Sequence, residues 1–228
     1  MAILGVVALA VWLIPFWRAY GDQLLTLTFQ HLRMIGLAMP PAIALGMLLG
    51  ILIARRPGAF GWILGGAGLL LTIPSIALFG AMIPALAPLG VGVGVVPAVV
   101  ALVLYSQLPI IRNTYVGIRE IPEPVRRAAA GMGMSRGEIL RKVELPLAAP
   151  VVLTGIRTAV VLSVGVAAVA AYVGGGGLGR WIFGGIRRTY PEMMIAGALA
   201  VSLLALALDG LLALLQRALT PGGEERRS

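Results

Sequence analysis

Cysteine is absent from the 228-residue chain, and histidine and lysine occur once each, as His31 and Lys142. Without thiols there is no disulfide framework, no thiolate metal site and no cysteine nucleophile. A single histidine excludes His-pair metal motifs and leaves acid–base relays without their usual member, and no metal site is assigned. Lys142 stands between Arg141 and Val143. No Gly-Lys-Ser/Thr phosphate loop can therefore be written, and ATP hydrolysis by that route is excluded. Aromatic residues make up only 6%, and no cage for a quaternary ammonium group is expected. Charge is scarce too. Only 12% of residues are charged, about half the usual share of ~25%, whereas 59% are apolar. The mean hydropathy of +0.98 excludes disorder. The little charge present is lopsided: 18 Lys and Arg against 9 Asp and Glu, for a net +9.

A helix that crosses a bilayer needs about 20 largely apolar residues. Six stretches qualify, at about 2–17, 35–54, 60–86, 91–111, 150–173 and 193–215. The expected fold class is an all-α integral membrane protein of about six transmembrane helices, with no room for a soluble domain of ordinary size. The first stretch has no basic residue before Arg18 and no small-x-small cleavage site, so it is read as a retained helix and not a signal peptide. Residues 20–33 mix polar and apolar types and are expected at the interface. The chain then divides into an N-terminal helix with its interfacial segment (1–34), a core (35–217) containing a charged loop (112–146), and a short tail (218–228).

The connections carry the basic residues unevenly. One set holds twelve: Arg55, Arg56, seven from Arg112 to Lys142, then Arg217, Arg226 and Arg227. The opposite set holds Arg18, Arg33, Arg180, Arg187 and Arg188, and Arg157 falls inside a span. The positive-inside rule puts the twelve, and with them both termini, in the cytoplasm. The +9 excess thus records topology, and a nucleic-acid-binding face is not expected. Pro74, Pro84, Pro97 and Pro109 interrupt the spans, which suits a conduit better than a rigid anchor. The pairs Gly46/Gly50 and Gly61/Gly65 permit close helix approach or ordinary packing.

The loop carries the most information. Pro122 and Pro124 suit the first turn of a helix. Val125, Ala128, Ala129 and Met132 then form an i, i+3, i+4, i+7 stripe, and Gly131 and Gly133 end it. Ser135 and Glu138 make a capping box that opens a second short helix. Two readings of the stripe stay open: docking in a groove of another protein, or packing on the chain's own spans. The run Gly133-Met134-Ser135-Arg136-Gly137 matches a hydrolase elbow in form only, since no strand precedes it and no histidine is near.

Arg127-Ala128-Ala129, three residues, Gly133, nine residues and Val143-Glu144-Leu145-Pro146 together resemble the EAA-x3-G-x9-I-x-LP motif of ABC importer permeases. Other stretches are similar to the osmoprotectant (glycine betaine, carnitine, choline) permeases of that superfamily. They are 24–32 (LLTLTFQHL), 72–75 (TIPS), 108–117 (LPIIRNTYVG), 131–134 (GMGM), 155–159 (GIRTA) and the glycine-rich 173–179 followed by Ile182-Phe183. The resemblance implies a type I importer permease fold (MetI-like) with a cytoplasmic coupling-helix pair, in the inner membrane of a prokaryote. It implies a second permease subunit, alike or different, separate ATPase subunits that use ATP and Mg, and an extracytoplasmic substrate-binding protein; this chain would bind no cofactor and catalyse nothing. Val125, Arg127, Ala128, Ala129, Met132, Gly133, Leu145 and Pro146 would couple to the ATPase. Arg127 departs from the motif, which has Glu there. The rival solute is another small molecule such as methionine, and the rival class is a secondary transporter or channel that needs no ATPase.

Four further features are candidates. Thr72, Pro74 and Ser75 either line the pathway or bond back to their own helix. Gly174, Gly175, Gly176 and Gly177 are either an outer gate or a turn. Arg157 and Asp209 lie at similar depth in two spans and are expected to pair. His31 is expected as a hydrogen-bonded interfacial residue.

Overall fold

The computed structural model describes the backbone of residues 2–219 and the side chains of 14–218. The expected tail beyond Leu219, with Arg226 and Arg227, lies outside the described residues, as do the side chains of the first apolar run up to Leu13. Among the described residues the regular structure is helical throughout: α1 (Ala2–Arg55), α2 (Phe60–Thr72), α3 (Ser75–Leu86), α4 (Val95–Tyr105), α5 (Gln107–Arg119), α6 (Glu123–Gly131), α7 (Arg136–Ile139), α8 (Leu145–Val169), α9 (Gly179–Arg188) and α10 (Pro191–Leu219).

The start of the chain is more continuous than its sequence suggests. The first apolar run, the supposed interfacial segment 20–33 and the second span are one unbroken helix, α1. Hydropathy dips over 20–33, but no proline falls there, and Asp22, Gln23, Gln30 and Arg33 are all tolerated within a helix. Four helical stretches among the described residues are long and apolar enough to cross a membrane: Ile14–Arg55, Val95–Arg119, Arg136–Val173 and Pro191–Ala218. The bent pair Pro57–Thr72 with Ser75–Leu89 adds up to one more if its two helices count as a single span. The 60–86 run is split at Ile73–Pro74 because Pro74 has no N–H to continue the ladder and disfavours helix in the residue before it. Within Arg136–Val173 the charged stretch up to Glu144 is assigned outside the bilayer, since Leu145–Val173 alone is long enough to span.

The described chain forms two compact units. One comprises residues up to Met39, Ile73–Val103 and Leu162–Ala207. It contains an aromatic cluster that the sequence hid. Phe16 packs on Tyr20 and Trp181 with ring centroids 5.0 Å away in each case, Trp17 lies 5.8 Å from Trp181, and Tyr190 sits 6.5 Å from Tyr20. These residues come from two segments far apart in the chain, which is why composition and spacing missed them. The cluster is not an open cage, because Phe16 and Trp181 are fully buried by their neighbours. A cavity beside it is lined by Tyr20 and Trp181 but also by Arg180, Arg187 and Arg188, which oppose a cation.

The other unit comprises Pro40–Thr72, Leu104–Val161 and the chain from Leu208. Ile53, Ala67 and Ile111 anchor one apolar cluster, where the end of α1 meets α2 and α5. Ile118, Ala148 and Val152 anchor a second, where α5 meets α8. Two glycines of α1 allow the close approach expected of them. A Cβ on Gly46 would stand 2.7 Å from Ile110 Cγ2, and one on Gly50 only 2.5 Å from Thr114 Cβ. Gly61 and Gly65 have no such neighbour within 4 Å, so that pair makes no helix contact within the chain.

Candidate functional site

The charged loop folds much as its sequence indicates up to Ser135. Pro122 is the N-cap of α6 and Pro124 lies in its first turn, where a proline forfeits no helical bond. The helix stops at Met132, and Gly133 turns the chain with φ +80°, a conformation unfavourable for any residue with a Cβ. Ser135 then caps α7. Its Oγ accepts from the Glu138 N–H at 3.3 Å, and Glu138 Oε2 accepts from the Ser135 N–H at 3.0 Å. Lys142 Nζ adds a bond to Glu138 Oε1 at 3.0 Å. These partners, the Ser135 backbone first and Lys142 next, hold the Glu138 carboxyl down at about 2.

The second helix differs from expectation. It is a single turn, Arg136–Ile139, that runs through a π-helical stretch, Leu140–Glu144, straight into α8. Pro146 supplies the reason: it cannot donate, and its ring would press on the carbonyl four residues back. Widening the preceding turn relieves this, and the Leu145 N–H reaches back to Leu140 O. The Val143-Glu144-Leu145-Pro146 element is thus a built-in helix irregularity, with Leu145 half-buried and Pro146 exposed.

Of the predicted stripe, only Ala129 is buried. Val125 and Ala128 are exposed, and Met132 is 75% exposed, so most of the stripe points away from the chain's own core. Arg127 is exposed as well, paired along the helix with Glu123 at 3.5 Å.

The residue that secures this helix from behind was not singled out in the sequence. Glu144 is 1% exposed and accepts from Arg55 Nη2, at the end of α1, and from Arg126 Nε at 2.9 Å. Arg126 also donates to the carbonyls of Ile121, at 3.0 Å, and Ile118, at and just beyond the end of α5. One carboxylate thereby ties together the ends of α1 and α5, the helix α6 and the entrance to α8. A lone acidic residue inside Val143-Glu144-Leu145, with arginines at two other loop ends, was the available signal.

The remaining candidates divide. Arg157 and Asp209 do pair, with Nε to Oδ1 at 2.5 Å and Nη2 to Oδ2 at 2.6 Å, a two-pronged contact between α8 and α10. Thr72 Oγ1 donates to Leu69 O at 2.7 Å, so its hydroxyl bonds back to its own helix. Pro74 is the N-cap of α3, without a side-chain cap, and Ser75 opens it. The run Gly174–Gly177 is a tightly packed turn: the Gly177 N–H donates to Gln30 Oε1 at 3.0 Å, and a Cβ on Gly177 would stand 2.9 Å from His31 Nδ1. His31 is hydrogen-bonded, as expected, and fully buried within the chain; its Nε2 donates to Val164 O at 3.0 Å.

An osmoprotectant import permease protein of Salmonella typhimurium, OsmW, is 52% identical over 203 residues, covering 89% of this chain and 94% of its own. The choline transport system permease protein OpuBB of Bacillus subtilis is 41% identical over 214 residues, covering 94% and 96%. A chain of the inward-facing MetNI methionine ABC transporter superposes with a TM-score of 0.79 at 25% identity, covering 89% of this chain and 98% of that one. The family described as the binding-protein-dependent transport system inner membrane component matches residues 42–221. An all-helical fold, spans of membrane length and this match over most of the sequence place the chain in that family of transport permeases.

Proposed function

We propose that this permease carries a small osmolyte of the glycine betaine, choline or carnitine type into the cell by alternating access, driven by separate ATPase subunits. ATP and Mg would be used in those partners and not in this chain. A second permease subunit completes the pathway, and an extracytoplasmic binding protein selects and delivers the solute. The loop lies on the cytoplasmic side, as do both termini. The observation that carries the coupling role is the outward face of α6: Val125, Ala128 and Met132 are exposed together, while Arg126 and Ala129 fasten the opposite side to the rest of the chain. Such a helix can receive a push from a partner and pass it to the helices behind it. The osmoprotectant import and choline transport roles of the OsmW and OpuBB relatives support the solute class.

The test is reconstitution of the permease with its ATPases and binding protein in proteoliposomes. Radiolabelled choline and glycine betaine are expected to enter on addition of ATP, and excess methionine is expected not to compete. Ala128→Asp, an exposed change, is expected to remove solute-stimulated ATP hydrolysis while membrane insertion and thermal unfolding stay as in the wild type. Full coupling in Ala128→Asp would remove α6 as the docking element. Ion-driven uptake without the ATPases would replace the proposal with a secondary transporter.

A further inference from the structure

Behind α6 lies a cavity of about 650 Å³, inside the size range of small-molecule sites. Its lining is unusual for a protein with so few charged residues. Four arginines, Arg55, Arg119, Arg126 and Arg136, surround the single carboxylate of Glu144. The lining therefore carries a formal excess of three positive charges. Glu144 cannot offset more of it. Its Oε2 is taken by Arg55 and its Oε1 by Arg126. Arg126 is used up in turn by Glu144 and by the carbonyls of Ile118 and Ile121. No ion pair reaches Arg119 or Arg136 among the described residues, both of which are exposed to the cavity mouth. The rest of the wall is apolar, including Ile51, Ala54 and Leu140.

We propose that this cavity binds a phosphate-bearing anion, gripped by the free guanidinium forks of Arg119 and Arg136 with Arg55 beside them. A guanidinium presents paired N–H donors that match phosphate oxygens, and a doubly charged group would neutralise most of the excess left by Glu144. The apolar wall suits an ester larger than inorganic phosphate. Because α6, α7 and the end of α1 all border the cavity, a bound anion would stiffen the element proposed to couple to the ATPase. Two sources offer this chemistry, a soluble phosphate compound and the headgroup of an anionic phospholipid.

The experiment uses the full chain in lipid nanodiscs at constant ionic strength, with chloride as the balancing anion. In one arm the bilayer is phosphatidylcholine and inorganic phosphate or ADP without metal is titrated. In the other, phosphatidylglycerol replaces part of the phosphatidylcholine. The readouts are the thermal midpoint and hydrogen exchange over 136–140, for wild type and for Arg119→Gln/Arg136→Gln. Wild type is expected to respond at concentrations about a hundredfold lower than the double variant in one arm, the scale of two lost charge-assisted contacts at about tenfold each. A response confined to the titration arm identifies a soluble ligand, and one confined to the phosphatidylglycerol arm identifies a lipid headgroup. Equal responses of wild type and variant in both arms overturn the proposal. If the double variant fails to insert, Arg119→Lys and Arg136→Lys keep the charge and remove the fork. Each is then expected to weaken the response, and wild-type behaviour in both would overturn the proposal equally.

Discussion

Glu144→Gln keeps the size of the side chain at the centre of the loop and removes its charge. The carbonyl oxygen of the amide can still accept from one arginine, but its NH2 group then faces the other guanidinium, donor against donor. Breaking one partner out of a wholly buried ion pair costs about 3–5 kcal/mol. Here Glu144 is 1% exposed but Arg126 is 23% and Arg55 40% exposed, so water can rescue both arginines in part. The loss is then nearer the value of hydrogen bonds to a charged group, about 2 kcal/mol. Since a tenfold change in an equilibrium corresponds to about 1.4 kcal/mol, the local opening of α6 should become roughly 30-fold more frequent.

Hydrogen exchange resolved by segment measures that opening directly, because exchange of α6 amides requires its release from the structure behind it. In Glu144→Gln the amides of Glu123–Gly131 should exchange roughly 30-fold faster, while those of Phe60–Thr72, which this carboxylate does not touch, keep their wild-type rates. Arg126→Gln should reproduce the effect on α6, since it removes the other half of the same contact and the carbonyl bonds as well. Arg55→Gln should leave α6 closer to wild type and loosen the end of α1. A change of less than about twofold over Glu123–Gly131 in both Glu144→Gln and Arg126→Gln would refute the reasoning, because it would mean that packing alone holds α6.

Two further outcomes follow from the geometry. The carboxyl carbon of Glu138, followed by NMR in detergent, should titrate at about 2, because the Ser135 N–H and Lys142 favour its charged form. Since this value is below that of an unfolded carboxylate, the capping box stabilises the start of α7 at neutral pH and weakens as pH falls toward it; a midpoint above 4 would contradict the contacts. Gly50→Leu should lower the thermal stability by about 1–3 kcal/mol or more, as expected of overpacking, because even a Cβ there meets Thr114 at 2.5 Å. Gly61→Leu, with open space around it, should fold as the wild type does, and equal losses in the two variants would show that the Gly50 contact is not what counts.

What the sequence made legible was what depends on near neighbours or on depth in the membrane. Ser135 and Glu138 are three residues apart, so their reciprocal capping could be read directly. Arg157 and Asp209 could be paired because each was countable from the same end of its span, and the cost of an isolated charge in lipid demands a partner. The failures share another cause. Residues 20–33 look separate from the apolar runs on either side because of their polarity, whereas polar side chains alone do not end a helix, and α1 runs through them as it does through Pro40 and Pro41. The meeting of Phe16 and Tyr20, four residues apart on α1, with Trp181 and Tyr190 exists only after folding, and no local period announces that long-range half. Glu144 belongs with these. Its partners lie 18 and 89 residues away, so its burial was invisible to any pattern along one helix.

The departure at Arg127 can be placed against this framework. Adjacent helical residues point about 100° apart, and here Arg126 turns inward to Glu144 while Arg127 turns outward, 77% exposed. The reversal of charge therefore falls on the face proposed to meet a partner and leaves the internal fastening untouched. Within the chain, Arg127→Glu would trade the pair with Glu123 for a repulsion four residues apart on an exposed helix, a matter of a few tenths of a kcal/mol. Stability and hydrogen exchange over Glu123–Gly131 should accordingly stay close to wild type. Solute-stimulated ATP hydrolysis in the reconstituted complex should fall by about tenfold or more if the native partner presents a carboxylate to this arginine, because a like charge then replaces an opposite one at the contact. Unchanged coupling in Arg127→Glu, with α6 equally intact, would mean that position 127 faces only solvent and that the departure from the motif carries no message to the partner.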